Sequence, residues 1–236
     1  MNHTVAIMQP YLFPYLGYFN LVAASDYFVF YDDVNFIKKG WIHRNRILVN
    51  GQEHLFTVPL KKSSQNISIN QIVINDYIQF RADFIKKITL AYKKAPYFNQ
   101  GVDYIEAVLS DNLSTINQLA IKSIIELCNR LKIKTKFLQS SLSFAQTMGA
   151  GRVERLVSIS HALCAKRYIN AAGGKELYHK EEFAQSGLEL KFLVPRLNEY
   201  EQNSTRNFIP GLSIIDVVMN VPLSGITNMI NSYSLE

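Results

Sequence analysis

The sequence predicts an α/β protein with a Rossmann-like, mainly parallel sheet, and the N-terminal part of the chain carries much of that prediction. Residues 4–8 form a short apolar run that stops at Gln9-Pro10, as expected of a buried strand. Apolar residues then recur at helical spacing over 17–24, and residues 26–31 return as a second strand. A strand, a loop, a helix and a strand in this order are the usual start of a parallel sheet.

An antiparallel hairpin is predicted to follow this parallel unit. Asn50-Gly51 supplies the positive φ angles of a tight turn between a strand over 44–50 and a strand over 53–60. Residues 67–74 alternate between apolar and polar side chains, which predicts one more strand. The sheet system is therefore expected to contain antiparallel as well as parallel pairs.

The rest of the chain continues the α/β pattern, so we predict a single domain over residues 1–236 with a mostly helical insertion at about 76–132. Asn75-Asp76 caps the first helix of the insertion. The insertion is predicted to hold helices at 77–93, 101–109 and 114–131. Beyond it, strands at 134–138, 167–170 and 188–194 alternate with helices at 151–164 and 180–184, and residues 209–232 are helical.

Composition and charge limit the classes of partner. An apolar fraction of 48% is enough for a well-buried core. The formal net charge of +6 suits nucleic acid, a membrane surface or a phosphorylated small molecule. The basic residues are scattered in small groups, and no run resembles a nucleic-acid tail. We expect no nucleic acid partner; a phosphate-bearing small ligand and a merely solvated basic face both stay open.

The expected location is the cytoplasm. Cys128 and Cys164 each lie in an apolar helical pattern, which suits core residues of a reducing compartment better than a disulfide framework. Residues 5–24 are apolar, but no Lys or Arg precedes them and Gln9-Pro10 interrupts the run. The stretch therefore fits neither a secretory signal nor a membrane span.

The first candidate for ligand binding is the loop from Gln9 to Tyr18, which leaves the first strand and enters the first helix. Ligands bind at this place in open α/β sheets, because the strand ends leave a crevice and the helix N-terminus attracts anions. Gly17 would allow a phosphate to approach closely. Tyr11, Tyr15 and Tyr18 can stack on a base or sugar and still donate a hydrogen bond. The alternative is that these aromatic residues form the core of a rigid turn.

A second candidate is the pair Asp32-Asp33 at the end of the second strand, with Lys39 a few residues beyond. Adjacent carboxylates can bind a sugar hydroxyl or a metal, and Asp33 is a candidate catalytic residue. Neighbouring residues of a strand point to opposite faces, so we expect only one carboxylate to enter the site. Ordinary loop capping explains the pair equally well.

The segment from Trp41 to Arg46 is the strongest candidate. An imidazole, an amide and two guanidiniums in consecutive positions are costly to bury without partners, and the only tryptophan stands beside them. His43 can act as a general base. In a strand His43 and Asn45 share one face, and Arg44 and Arg46 share the other, so one pair would be catalytic and the other would bind phosphate or serve the structure. An ordinary basic strand is the alternative.

A third polar segment follows a predicted strand at Asn170. Gly173-Gly174 at a strand-to-helix junction can form a phosphate-binding nest, although a bare turn explains the pair as well. The segment is not a Walker A loop or a dinucleotide-binding fingerprint. No metal site is predicted, because the remaining histidines share no ligand spacing with each other or with a cysteine.

Several long motifs resemble the WbqC-like family, a group associated with bacterial surface-polysaccharide (O-antigen) gene clusters. The matching segments are MQPYLFPYLGYF (8–19), SDYFVFYDDVNF (25–36), GWIHRNRI (40–47), NAAGGKELY (170–178) and FIPGLSIIDVVMN (208–220). The resemblance implies a role in making or modifying nucleotide-linked sugars.

The N-terminal unit is also similar to the opening of the HIGH-motif nucleotidylyltransferases, in which histidines of the first loop and helix hold ATP phosphates. Here Tyr15 and Tyr18 stand roughly where those histidines would be. The likeness therefore concerns the sheet and weakens the case for ATP-dependent adenylation.

From these observations we predict a transferase that acylates or aminoacylates the amine of a nucleotide-linked sugar, with His43 as the base. The expected partner is a dTDP- or UDP-sugar, and the expected donor is an acyl-CoA or another activated acyl compound. The alternatives are ATP-dependent nucleotidyl transfer or ligation on a polysaccharide precursor, and a non-catalytic sugar-nucleotide-binding subunit. Apolar residues near the C-terminus either form a homodimer seam or complete the core.

Overall fold

The computed structural model describes residues 3–62, 64–196, 198–202, 205 and 207–236. The strands are β1 (His3–Met8), β2 (Tyr27–Phe30), β3 (Arg44–Val49), β4 (Gln52–Thr57), β5 (Lys136–Gln139), β6 (Ala165–Ala171), β7 (Glu189–Pro195) and β8 (Tyr233–Leu235). The helices are α1 (Leu16–Ala23), α2 (Tyr77–Tyr92), α3 (Phe98–Val108), α4 (Ile116–Arg130), α5 (Ser140–Ser143), α6 (Arg152–Ala162), α7 (Lys180–Ala184), α8 (Ile214–Asn220) and α9 (Leu223–Ile230).

The main sheet has six strands in the order β5-β2-β1-β6-β7-β8, and β3 pairs with β4 in a separate two-stranded sheet. Every neighbouring pair of the main sheet is parallel except β7 and β8. The predicted Rossmann-like α/β fold is confirmed. From β1 the chain moves outward to β2 and β5, and then returns to the other side of β1 with β6 and β7. The boundary between β1 and β6 is therefore the topological switch point, where the strand ends leave a crevice.

Two apolar layers cover the sheet. On one face α1, α4, α8 and α9 contribute Val22, Ile124, Ile215 and Ile226 to the larger core. On the other face α6 and α7 pack through Leu156, Ile159 and Phe183 against β1 and β6. A parallel sheet that is buried on both faces requires continuous apolar strands, and this explains the run from Val5 to Ile7.

The hairpin confirms the turn chemistry read from the sequence. Asn50 and Gly51 have φ angles of 51° and 73°, and six residue pairs from Arg44–Thr57 to Val49–Gln52 form the antiparallel ladder. Phe56 of β4 packs on Phe84 of α2 with ring centroids 4.9 Å apart. The hairpin thereby joins the same core as the helices that follow it.

The strand predicted over 67–74 is wrong. Ile69–Gln71 form a 3-10 turn, and Ile69, Ile72 and Ile74 are buried. The backbone of this segment bonds to a loop, because the N–H groups of Ile69 and Asn70 donate to the carbonyls of Val34 and Asp32. Ile74 forms only an isolated bridge with Leu60, so alternating burial arose here without a regular strand beside it among the described residues.

Smaller differences concern element ends. Ser213 and Pro222 precede α8 and α9 as predicted. The three-residue strand β8 was not predicted, because no sequence pattern indicates it. Cys128 is buried in α4, whereas Cys164 is exposed with a φ of 51° after the end of α6, so the prediction of a helical core position was wrong for Cys164. In the described part of the chain, no helix is both long and apolar enough to cross a bilayer.

Candidate functional site

A cleft of about 280 Å³ opens at the switch point, beside the carboxyl ends of β1 and β6. Residues 8–21 form its first wall, residues 37–42 form the second, and Ala171 at the end of β6 closes the third side. Five of the predicted ligand contacts meet here, namely Gln9, Tyr11, Tyr15, Tyr18 and Trp41. A concave, largely apolar cavity with a few polar groups is the usual form of a small-molecule site.

The loop between β1 and α1 is held by buried hydrogen bonds. Asn45 donates from Nδ2 to the carbonyls of Leu12 (3.0 Å) and Phe13 (2.6 Å), and its Oδ1 accepts the N–H of Arg46. Ser213 Oγ donates to the carbonyl of Phe13 at 2.8 Å. These bonds hold Phe13 at a φ of 43°, which few non-glycine residues adopt. Asn45, predicted to contact a ligand, is fully buried and positions the cleft wall instead.

Aromatic rings form most of the cleft surface. The rings of Tyr11 and Trp41 are stacked, with an angle of 15° between their planes and centroids 6.2 Å apart. The ring of Tyr18 lies edge-on to that of Tyr11, with centroids 5.9 Å apart. Tyr18 donates its hydroxyl hydrogen to the carbonyl of Gln9 at 2.9 Å, which fixes its ring. Trp41 remains 39% exposed, so its ring is open to a ligand from the solvent side.

Three polar groups of the cleft are free to bind a ligand. Among the residues that the structure describes, the hydroxyls of Tyr11 and Tyr15 and the side-chain amide of Gln9 make no hydrogen bond. Burial raises the pKa of Tyr11 and of Tyr15, so both hydroxyls stay protonated and can donate. The cleft therefore offers two hydroxyl donors and one amide within apolar walls.

Two guanidinium groups lie beside Trp41 at the second wall of the cleft. The guanidinium carbons of Arg44 and Arg46 lie 5.6 and 5.5 Å from the centroid of the Trp41 ring, within cation–π range. The alternation predicted for this strand therefore places both arginines beside the tryptophan. Arg46 pairs with Glu53 at 2.7 Å, and Arg44 donates to the carbonyl of Lys39, whose own side chain is exposed at the rim.

Gly17 serves Tyr15 and not a phosphate. A Cβ at Gly17 would lie 2.3 Å from Cε2 of the Tyr15 ring, far closer than any real contact. The ring fills the space through which an anion was predicted to approach the backbone. The glycine is therefore needed so that Tyr15 can form its part of the wall.

Replacing Gly17 with alanine is expected to lower the free energy of unfolding by about 1–3 kcal/mol, because the Tyr15 ring must move. Urea unfolding measures this loss. In a Tyr15→Ala background the same replacement should be neutral or stabilising, since alanine favours a helix over glycine by up to about 1 kcal/mol. An equal loss in both backgrounds would show that the ring is not the cause.

His43 lies behind the second wall. It directly precedes β3, and its ring packs on Phe36 with centroids 5.3 Å apart, while its neighbour Ile42 lines the cleft. Nδ1 is buried without a hydrogen-bond partner among the described residues. Burial, and then the charge of Arg44, lower the pKa of His43 from 6.5, so the imidazole is neutral at pH 7.

Asp32 and Asp33 lie outside the cleft, so the prediction that one of the two carboxylates enters the ligand site is wrong. β2 ends at Phe30, so strand alternation no longer applies, and both carboxylates contact Ser140 Oγ, at 3.2 and 2.6 Å. Asp33 also pairs with Arg155 at 2.6 Å, and their side chains are only 3% and 6% exposed. This ion pair joins the end of β2 to α6.

The partners of Asp32 explain its complete burial. It accepts hydrogen bonds from Asn117 Nδ2 (3.0 Å), from the backbone N–H of Ser141 (3.0 Å) and from Ser141 Oγ (2.8 Å). These donors belong to α4 and α5. Both carboxylates are thus occupied by protein groups and hold elements together, which is the capping role left open by the sequence.

The third side of the cleft is closed by Ala171 at the end of β6, and Gly173 and Gly174, which were predicted to form a phosphate-binding nest, do not line it. Asn170 is buried, and its Oδ1 accepts the N–H of Ala171 at 2.8 Å. A Cβ at Gly174 would lie 2.9 Å from the amide of Asn170, so this glycine makes room for that side chain. Gly173 is exposed in the 3-10 turn Ala172–Glu176.

The sequence analysis did not identify several residues that form the cleft or hold the surrounding elements together. Ile37, Gly40 and Ile42 form the second wall, and two isoleucines flanking an exposed tryptophan were a signal for it. Arg155 gave no signal, because it lies 122 residues from its partner Asp33. In the described ranges, no group of three or more His, Cys, Asp or Glu side chains is arranged to hold a metal ion.

The sheet order and the cleft define an α/β protein with a Rossmann-like fold and an aromatic ligand cleft at its switch point. The model of the WbqC-like protein family matches residues 9–227, so the chain belongs to that family. Uncharacterized protein Rv1507c of Mycobacterium tuberculosis is 26% identical over 223 residues, which cover 92% of this chain and 93% of that relative. The family match extends from the cleft loop to α9.

Proposed function

We propose that the chain is a cytoplasmic transferase that modifies a nucleotide-linked amino sugar in surface-polysaccharide (O-antigen) biosynthesis, by acyl or aminoacyl transfer to the sugar amine. The cleft is the observation that carries this proposal. Its stacked aromatic walls suit a base or the face of a sugar, and its free hydroxyls and amide suit ring substituents. The cationic rim around Trp41 suits a diphosphate.

The proposed reaction requires a base and an activated donor. The amine nitrogen attacks the acyl carbon, the bond from that carbon to its leaving group breaks, and a base takes the proton released by the nitrogen. With an acyl-CoA donor the leaving group is the thiolate. We assign the base to His43, because its imidazole is neutral at pH 7 and its neighbour Ile42 lines the cleft. Its Nδ1 is buried behind that wall, so the proposed role requires the ring to turn toward the bound amine.

Replacing Trp41 with alanine is expected to weaken nucleotide-sugar binding by about 1–3 kcal/mol, which is roughly 5- to 150-fold, because the stacking surface is lost. A thermal-shift screen of UDP- and dTDP-amino sugars identifies the ligand, and calorimetric titration then gives both affinities. Tyr97→Ala is the control, because it removes a partly exposed aromatic ring at the start of α3, outside the cleft. This variant should bind the ligand as the wild type does. If Trp41→Ala bound the ligand with wild-type affinity, the cleft would not be the binding site.

Replacing His43 with alanine is expected to lower kcat about 10²- to 10⁴-fold in an assay that follows the acylated sugar by mass spectrometry. Because the pKa of His43 is lowered, kcat/KM of the unmodified chain should rise with pH below 6.5 and be level at pH 7. The variant should lack this acidic limb. Normal turnover by His43→Ala would overturn the assignment of the base and leave the binding site untouched.

A sugar-nucleotide-binding subunit without turnover is the second candidate. One observation favours it, since none of the residues found to line the cleft is a His, Asp, Glu, Lys or Cys. This candidate predicts ligand binding without any product in the mass spectrum. Nucleotidyl transfer or ATP-dependent ligation would instead release pyrophosphate, which a coupled assay detects.

A further inference from the structure

The surface of α2 combines positive charge with exposed aliphatic side chains. Residues 77–94, which comprise α2 and the two lysines after it, contain five basic residues and one acidic residue, a net charge of +4 out of +6 for the whole chain. On the same helix Ile78 is 75% exposed and Leu90 is 62% exposed. Five of the 25 basic residues of the chain therefore lie in this segment, where a single acidic residue accompanies them.

The helix geometry separates a buried face from an outer face. Phe80, Phe84 and Ile88 are buried in the core, and they fix the orientation of α2. At 3.6 residues per turn, a sector of about 120° lies opposite these residues, and Arg81 and Lys87 fall outside it. That sector contains Ile78, Lys86, Leu90 and Lys93. Aliphatic and cationic side chains thus share one surface.

The charges of this surface are available to a partner. Among the described residues, none of the five basic side chains, Arg81, Lys86, Lys87, Lys93 and Lys94, is in a salt bridge. The acidic residue, Asp83, accepts a hydrogen bond from Gln79 at 3.0 Å. Lys87 Nζ lies 3.2 Å from His54 Nε2, so the cations that share the outer sector with Ile78 and Leu90 are Lys86 and Lys93.

We propose that α2 docks the protein onto an anionic phospholipid surface. The lysines lie near the headgroup phosphates, while Ile78 and Leu90 enter the boundary between headgroups and acyl chains, as in helices that lie in the plane of a membrane. A nucleic acid backbone would use the same positive charge but would gain little from exposed aliphatic side chains. The two aliphatic residues favour lipid, and this inference does not depend on the proposed function.

Sedimentation of the full chain with vesicles tests this proposal. We expect binding to mixed phosphatidylcholine–phosphatidylglycerol vesicles that falls with added salt, and little binding to phosphatidylcholine alone. Lys86→Gln with Lys93→Gln should weaken binding about 30-fold, since each lysine contributes about fivefold near such a surface. Leu90→Ser should weaken it about tenfold.

Matched variants elsewhere separate docking from general charge or hydrophobicity. Lys166→Gln and Leu177→Ser make the same changes at exposed positions of β6 and of the turn before α7, and both should bind as the wild type does. Equal losses in these controls would overturn the proposal, as would a lack of vesicle binding. Binding to duplex DNA that matches vesicle binding and is insensitive to Leu90→Ser would make α2 a nucleic acid surface instead.

Discussion

Replacing Arg155 with methionine is expected to lower the free energy of unfolding by roughly 3–5 kcal/mol. The guanidinium of Arg155 pairs with Asp33 at 2.6 Å, donates to Thr147 Oγ1 at 3.0 Å and lies 4.7 Å from the centroid of the Tyr31 ring. Methionine fills much of the volume but leaves the Asp33 carboxylate buried beside Ser140 without a cation. The uncompensated buried charge accounts for most of the loss, which denaturant unfolding measures.

Two comparisons separate this effect from loss of packing. Arg167 and Glu189 form an ion pair in which the two side chains are 41% and 47% exposed. Because this pair is open to solvent, Arg167→Met should lower the free energy of unfolding by less than about 1 kcal/mol. Adding Asp33→Leu to Arg155→Met removes the orphaned charge and should recover part of the stability. A double variant as unstable as the sum of its single variants would contradict a specific interaction between Asp33 and Arg155.

Raising the pH above 10 is expected to destabilise the fold by at least about 5 kcal/mol per pH unit, a contribution that comes from four of its buried tyrosines. Burial raises the pKa of Tyr18, Tyr92, Tyr104 and Tyr168 well above 10. Each hydroxyl keeps its proton in the folded state but loses it in the unfolded state, at about 1.4 kcal/mol per pH unit. Their contribution is fully present below pH 10 and is lost as the pH rises toward the raised pKa values.

Alkaline unfolding can be followed by circular dichroism together with tyrosinate absorbance. These four tyrosines should ionise only as the helical signal disappears. Tyr168→Phe removes one of these buried groups, and within the described residues its hydroxyl makes no hydrogen bond, so the slope should fall by about 1.4 kcal/mol per pH unit. Ionisation of all the tyrosines before unfolding would show that the hydroxyls are open to solvent.

The parts of the fold that were predictable depend on local chemistry. β1, α1 and β2 follow from an apolar run, a helical period and a second apolar run that are close in sequence, and Asn50-Gly51 specifies its own turn. Residues 67–74 show where such reasoning fails, since an alternating pattern reports burial and not the presence of a neighbouring strand. β8 has only three residues, too few for any period to be visible.

In the candidate site too, features set by nearby residues were predictable and features set by distant residues were not. The loop from Gln9 to Tyr18 and the tryptophan were predictable because polar and aromatic groups are concentrated there. The structural role of Asn45 was not, because its acceptors lie 32 and 33 residues away, on the loop between β1 and α1. Gly17 was misinterpreted for a steric reason, since only the placed ring of Tyr15 shows which group the glycine admits.

Fluorescence of Trp41 tests the central claim most directly, because this residue is the only tryptophan of the chain and lies on the cleft wall. Titration with the UDP- or dTDP-amino sugar found by thermal shift is expected to change its emission saturably, with the same Kd as calorimetry. Tyr15→Ala should weaken both signals together. Calorimetric binding with no change in Trp41 emission would place the ligand elsewhere on the protein and contradict the assignment of the switch-point cleft.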